Sequence, residues 1–156
     1  LKYLAGIARS NGIRISIEPI GGHTLVPGPT EALHLIELAG SPDNVGILLD
    51  TFHYFRSNVT DQEILSIPAE KLFFVHVNDV EDGALNELTD AHRVYPTLGV
   101  IPLQNTIKNL NALGYEGYYS VEIFRPEYWE EPIDDIASNA YHMLDKLMKE
   151  QNTGIA

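Results

Sequence analysis

Three carboxylates and one imidazole occupy the same kind of place in four separate apolar runs. Glu18 closes IRISIE, Asp50 closes VGILLD, His76 is the penultimate residue of LFFVHV, and Glu122 lies near the end of YYSVEI. A carboxylate after a run as apolar as IRISI or VGILL is costly to desolvate unless it is paired or bound to a cation. Taken singly, each could equally be a capping or loop-bonding residue. Four on successive runs read instead as a ligand set. Three oxygen donors and one nitrogen suit a single divalent ion, Mn²⁺, Zn²⁺, Co²⁺ or Mg²⁺, and the chain has no cysteine to favour a softer metal.

The elements that must position these residues follow from periodicity. Leu1, Leu4, Ala5 and Ala8 fall at helical spacing, Asn11-Gly12 ends the run, and residues 13–18 read as a buried strand. Pro29 suits the first turn of a second helix carrying Ala32, Leu33, Ile36 and Ala39, and strand 45–50 follows. Thr60 and Glu63 form a capping box before strand 72–77. Residues 78–101 form a long polar loop of functional length. A fourth helix runs from Pro102 to about Leu113, Gly114 stops it, and strand 118–123 follows. A last helix from Pro132 carries one long apolar stripe.

Four nearly continuous apolar strands alternating with helices predict a parallel sheet covered by helices. A doubly wound sheet and half of a barrel both satisfy that pattern. Gly21-Gly22 has neither the dinucleotide nor the Walker spacing, which removes support from nucleotide-binding versions of the wound sheet. In a parallel barrel the strand C-termini converge on one mouth, where all four candidate ligands would meet.

Around this set, His53 is a candidate substrate donor or extra ligand, and Asp90, His92 and Arg93 cluster in the long loop, with Arg93 a possible clamp for a substrate oxygen. His23, His34 and His142 fall outside the expected mouth. Tyr54, Phe55, Phe124, Tyr128 and Trp129 flank the strand ends, where such aromatics more often pack a core than wall a pocket. At 156 residues the chain suits one domain, and its net charge of −12 would repel a nucleic-acid backbone. No apolar run reaches the roughly 20 residues of a membrane helix, so a soluble, cytoplasmic protein is expected. The chain starts at Leu1 with no methionine, as though cut from something longer.

The strings IEPIGG, LLDTFHYF, FVHVND, HRVYP and SVEIFRPEYW resemble the xylose-isomerase-like TIM barrels, and most closely the branch acting on inososes. Members of that family have eight strands in about twice this length. The resemblance therefore implies the C-terminal half of a (β/α)8 TIM-barrel type fold, with four parallel strands and flanking helices. It puts the family's ligands on Glu18, Asp50, His76 and Glu122, and makes Glu18 and Glu122 the acid/base pair. One would take a proton beside a carbonyl and the other return it at the neighbouring carbon, through an enediolate that the metal stabilises. It also puts His53 and Arg93 on substrate oxygens, in an isomerase acting on a small polyol or ketose.

One departure is Pro96-Thr97-Leu98-Gly99, where the family often has a PGEG-like or PGQG-like turn. A ketose 3-epimerase or sugar-phosphate isomerase would use the same residues. An apurinic endonuclease-like metal hydrolase would add His53, Asp90 and His92 as ligands, against the acidic balance. The third alternative is an inactive fragment. Half a barrel leaves two open strand edges, so the chain is expected to self-associate as a homo-oligomer.

Overall fold

Helical spacing in KYLAGIARS and β-branched residues in ISI give the first pair of elements, α1 (Lys2–Ser10) and β1 (Ile15–Ile17). The computed structural model describes residues 1–152. The chain continues through α2 (Pro29–Leu38), β2 (Val45–Asp50), α3 (Thr51–Arg56), α4 (Asp61–Leu65) and β3 (Leu72–Val77). A ribbon of β4 (Asp79–Val80) and β5 (Arg93–Val94) precedes α5 (Leu103–Ala112), β6 (Tyr119–Val121) and α6 (Ile133–Asn152). The Thr60–Glu63 capping box forms: Thr60 Oγ1 accepts the Glu63 amide at 3.3 Å, and Glu63 Oε2 accepts the Thr60 amide at 2.8 Å.

The four longer strands make one parallel sheet in the order β1-β2-β3-β6. Among these four strands, sheet neighbours are thus successive in the chain, with helices on each crossover. A doubly wound sheet reverses its order at a switch point, and the described sheet has no reversal. This is the wall of a (β/α)8 barrel, built over about half its strands.

Strand alternation sorts side chains to two faces. Val45, Ile47, Leu49, Val75 and Val77 meet Ala32, Ile36, Ile107, Leu110 and Leu147, all no more than 2% exposed. Burying each large apolar side chain contributes roughly 1.5–3 kcal/mol, so this layer is the main source of stability. The opposite face carries Leu48 paired with Phe74, then Asp50 with His76, and His76 with Ser120. Glu18 and Glu122 continue the alternation two residues beyond Ser16 and Ser120. The four polar side chains thereby share the inner face at its C-terminal rim. A β-carbon on Gly46 would collide with the Lys71 carbonyl oxygen, so glycine is needed just before the register shift between Ile47 and Leu48.

The structure corrects several expected boundaries. β1 ends at Ile17 and β6 at Val121, so Glu18 and Glu122 stand just beyond their strands. Residues 51–56, to which the sequence pattern assigns no element, form a helix capped by Asp50. Residues 78–101 are not an open loop. β4 pairs antiparallel with β5, and buried Asp79 accepts the amides of Val80 (2.9 Å), Gly99 (2.9 Å) and Ile101 (2.8 Å). Those bonds hold residues 97–101 against β4. A β-carbon on Gly99 would collide with the Val80 carbonyl, which explains the glycine. No described helix is long and apolar enough to cross a membrane.

Candidate metal centre

Each ligand candidate is delivered by the end of a different strand of the sheet. One donor atom from each of Glu18, Asp50, His76 and Glu122 lies within 4.8 Å of the others. His76 Nδ1 is central: it is 3.4 Å from Glu18 Oε1, 3.3 Å from Glu122 Oε2 and 3.8 Å from Asp50 Oδ2. Four donors about 2.1 Å from one ion at tetrahedral positions would stand about 3.4 Å apart. The three spacings from His76 are close to that. His76 Nδ1 and Glu18 Oε1 are buried and have no hydrogen-bond partner, the condition of groups awaiting a shared cation. Both the donor chemistry and the orphaned atoms fit a divalent ion.

Asp50 is fully buried, and its carboxylate is the best supported of the set. Oδ1 caps α3 by accepting the His53 amide at 3.0 Å. Oδ2 accepts from Asn78 Nδ2 and from Arg93 NH1, each at 2.9 Å. Arg93 is itself 1% exposed. Its NH1 also reaches Glu122 Oε2 at 3.1 Å, and NH2 reaches Asp90 Oδ1 at 2.7 Å and His53 Nε2 at 3.2 Å. The guanidinium lies 4.8 Å from the Phe52 ring centroid and 5.5 Å from that of Phe124. A guanidinium only donates, so His53 accepts at Nε2 and carries its proton on Nδ1. His53 Nδ1 and Arg93 Nε are then two buried donors without a partner.

The two glutamates sit in different fields. The His76 imidazole facing Glu18 holds its carboxyl below the usual range, against the opposing effect of burial. Burial pushes Glu122 up, only partly offset by His76 and Arg93. Burial alone would pull His76 down, but the Glu18, Glu122 and Asp50 carboxylates outweigh it and the net direction is up. Burial lowers His53, which keeps it neutral.

The sequence candidates therefore divide. Glu18, Asp50, His76 and Glu122 converge, and His53 and Arg93 join them. Asp90 reaches the site only through Arg93, while His92 turns back to accept the Thr89 amide at 3.0 Å. The second ligand cluster an endonuclease-like site would need is not formed: the one metal-competent group among the described residues is the four-residue set. His34 faces Glu37 and His142 bonds Ser138 on their own helices, away from the cluster. Tyr54 is buried in the core, Phe55 packs against it, and Tyr128 stacks on Tyr95 at 4.4 Å. Phe124 and Trp129 remain exposed. A cavity of about 590 Å³ between residues 97–105 and α6 shares no residue with the cluster. Sequence reasoning missed Asn78 and Thr51, polar residues beside ligand positions.

Residues 1–147 match the model of the xylose isomerase-like TIM barrel family. The chain belongs to that family. Among curated members, an inosose isomerase of Halalkalibacterium halodurans is 37% identical over 144 residues, covering 90% of this chain and 50% of that protein. One from Bacillus subtilis is 31% identical over 140 residues with the same coverage. A 3-dehydroshikimate dehydratase of Pseudomonas aeruginosa is 30% identical over 134 residues, 85% of this chain and 21% of that protein. In solved structures, an IolI protein with a bound zinc atom superposes with a TM-score of 0.90 at 28% identity, over 96% of this chain and 54% of that one. An L-ribulose 3-epimerase shares the fold, with a TM-score of 0.78 at 21% identity, covering 97% of this chain and 52% of that one. The chain spans about half the length of the inosose isomerases it matches.

Proposed function

We propose that this chain carries the metal-holding half of an isomerase that moves a carbonyl within an inosose or related ketose. The observation that carries the reading is the convergence of Glu18, Asp50, His76 and Glu122 at one rim. Its support is the similarity to inosose isomerases and to a zinc-containing neighbour. The four residues would hold one divalent ion, which supplies Lewis-acid polarisation of a carbonyl when bound.

The rest of the chemistry belongs to side chains. Glu18 turns Oε1 and Glu122 turns Oε2 toward His76, so each keeps a second oxygen outside the ligand set. Those oxygens are suited to proton transfer: one glutamate removes a proton from the hydroxyl-bearing carbon beside the carbonyl, the other delivers a proton to the former carbonyl carbon, and the proton of that neighbouring hydroxyl passes to the former carbonyl oxygen. His53 Nδ1 and Arg93 Nε are buried donors in need of acceptors, which oxygens of a polyol or ketose would supply. A ketose 3-epimerase would draw on the same groups, and the shared fold of an L-ribulose 3-epimerase keeps that reading in play.

The test is metal content by elemental analysis, followed by isomerisation of inososes and 3-epimerisation of ketoses in parallel. One ion per chain is expected, lost in Glu18→Gln combined with His76→Ala. Full metal content in that double variant would refute the site. Turnover of a ketose with inosose left unchanged would favour the epimerase.

A further inference from the structure

We infer that Asn78, held by Thr51, is a positioning residue that fixes the Asp50 carboxylate for metal binding and ties three strand ends together at the site. The inference rests on the metal reading above and extends it to residues outside the ligand set.

Asn78 directly follows β3 and is fully buried. Its Nδ2 donates to Asp50 Oδ2, at the end of β2, at 2.9 Å and to the Glu122 carbonyl, just beyond β6, at 3.2 Å. Both of those atoms are pure acceptors, so the amide nitrogen must face them; turning the amide over would set oxygen against two oxygens. On the other side, Thr51 Oγ1 accepts the Asn78 amide at 2.9 Å. The same hydroxyl lies 2.9 Å from Asn78 Oδ1 and 2.7 Å from the Asn78 carbonyl, the two acceptors for its single proton. The pair is closed off from solvent and nearly fully satisfied, the condition in which a polar network holds one geometry.

Asp50 depends on that geometry. Oδ1 is engaged as the cap of α3, so the carboxylate cannot rotate without losing the His53 bond. Asn78 fixes Oδ2 from the β3 side while Arg93 approaches it from β5. Arg93 supplies charge. Asn78 supplies direction without charge, which is why aspartate would fail at this position: a carboxylate would face Asp50 Oδ2 and the Glu122 carbonyl. Ligating carboxylates are oriented by such outer hydrogen bonds, and losing one typically weakens metal affinity 10–100-fold.

The experiment titrates Zn²⁺ and Co²⁺ into the parent chain, Asn78→Leu, Asn78→Asp, Thr51→Val and Thr51→Ser, with melting curves recorded in chelator. Both Asn78 variants are expected to bind Zn²⁺ roughly 10–100-fold more weakly, with an altered Co²⁺ absorption spectrum. Thr51→Val should move the same way by less, and Thr51→Ser, which keeps the hydroxyl, should restore the parent affinity and spectrum. A merely structural role would lower the melting temperature and leave the affinity and spectrum of the folded variant unchanged; that outcome overturns the inference alone. Should Asn78→Leu not fold, the two Thr51 variants decide, and equal affinity for both overturns the inference. A parent chain that takes up no metal overturns the inference together with the reading beneath it.

Discussion

Arg93 offers the sharpest test of the site's electrostatics. Replacing it with leucine keeps comparable bulk beside Phe52 and removes the cation that contacts Asp50, Glu122 and Asp90. Arg93 and Asp50 have side-chain exposures of 1% and 0%, so water cannot take the place of the lost partner. Removing one member of a buried ion pair costs about 3–5 kcal/mol, mostly because the other charge is left uncompensated. A chain of this size loses about 2–4 °C of melting temperature per kcal/mol, so the metal-free variant should melt on the order of 10 °C lower. A divalent ion bound at about 100 times its Kd returns about 2.7 kcal/mol, enough to recover roughly half of that loss. Calorimetry of the parent and Arg93→Leu, each in chelator and in Zn²⁺, measures all four values. A variant within 2 °C of the parent in chelator would show that Arg93 does not neutralise the cluster, and the charge argument would fail.

His76 is raised, so its contribution to metal-free stability is complete below the ordinary histidine pKa of about 6.5 and fades as pH climbs through the raised value. Glu18 is lowered, so its contribution is present above the ordinary glutamate range and fades only as pH falls through the depressed value. Metal requires neutral His76, so Zn²⁺ affinity should rise with pH over the window in which metal-free stability declines; affinity independent of pH between 5.5 and 8 would contradict this. Thr97 has φ of 75°, a conformation costly for a β-branched residue. Thr97→Gly should therefore raise stability by about 1 kcal/mol, the strain relieved less the backbone entropy lost, read as a gain of a few degrees in melting temperature. Residues 1–17 hold three basic and no acidic side chains, while residues 126–145 hold six acidic and no lysine or arginine. Since β1 and β6 are the edges of the described sheet, the 156-residue chain should self-associate edge to edge and dissociate with added salt. Sedimentation of a monomer at high concentration and low salt would count against it.

The four candidate ligands were legible in the sequence because a buried strand advertises its polar exceptions. A glutamate after IRISI or an aspartate after VGILL stands out against its neighbours, and parallel topology then gathers the strand ends. Strand order was less accessible: alternation of helix and strand fits both wound sheets and barrels, and only the pairing β1-β2-β3-β6 separates them. The helix at residues 51–56 was hidden because TFHYF has the aromatic, β-branched composition of a strand, and tertiary packing with an Asp50 cap overrides that preference. Asn78 and Asp79 read as loop polarity. Apart from Val80, their partners lie 20 or more residues away, among them Asp50, Gly99, Ile101 and Glu122, where no local pattern points. Arg93 was recognised as a cation near the mouth, but its bonds to two ligand carboxylates depend on the β4–β5 ribbon, which two-residue strands do not announce.

Asp50 shows why, on the proposed reading, metal binding and turnover are separable. It caps α3, receives Asn78 from the end of β3, receives Arg93 from β5, and faces His76 across the β2–β3 register. Every one of these contacts is made within the described sheet and its connecting segments. So are the other three candidate ligands and the bond from Arg93 to Glu122. On the proposed reading, holding an ion would need only these four strands and no further wall of a barrel. Enclosing a polyol is a different requirement, because a substrate must be gripped from several sides and shielded from water while protons move. The inner face carrying Leu48, Phe74 and Ser120 supplies one side of such an enclosure. Metal affinity should accordingly respond to substitutions at Asp50, Asn78 and Arg93 in this chain by itself, whereas turnover depends in addition on whatever faces Leu48 and Phe74 from across the rim.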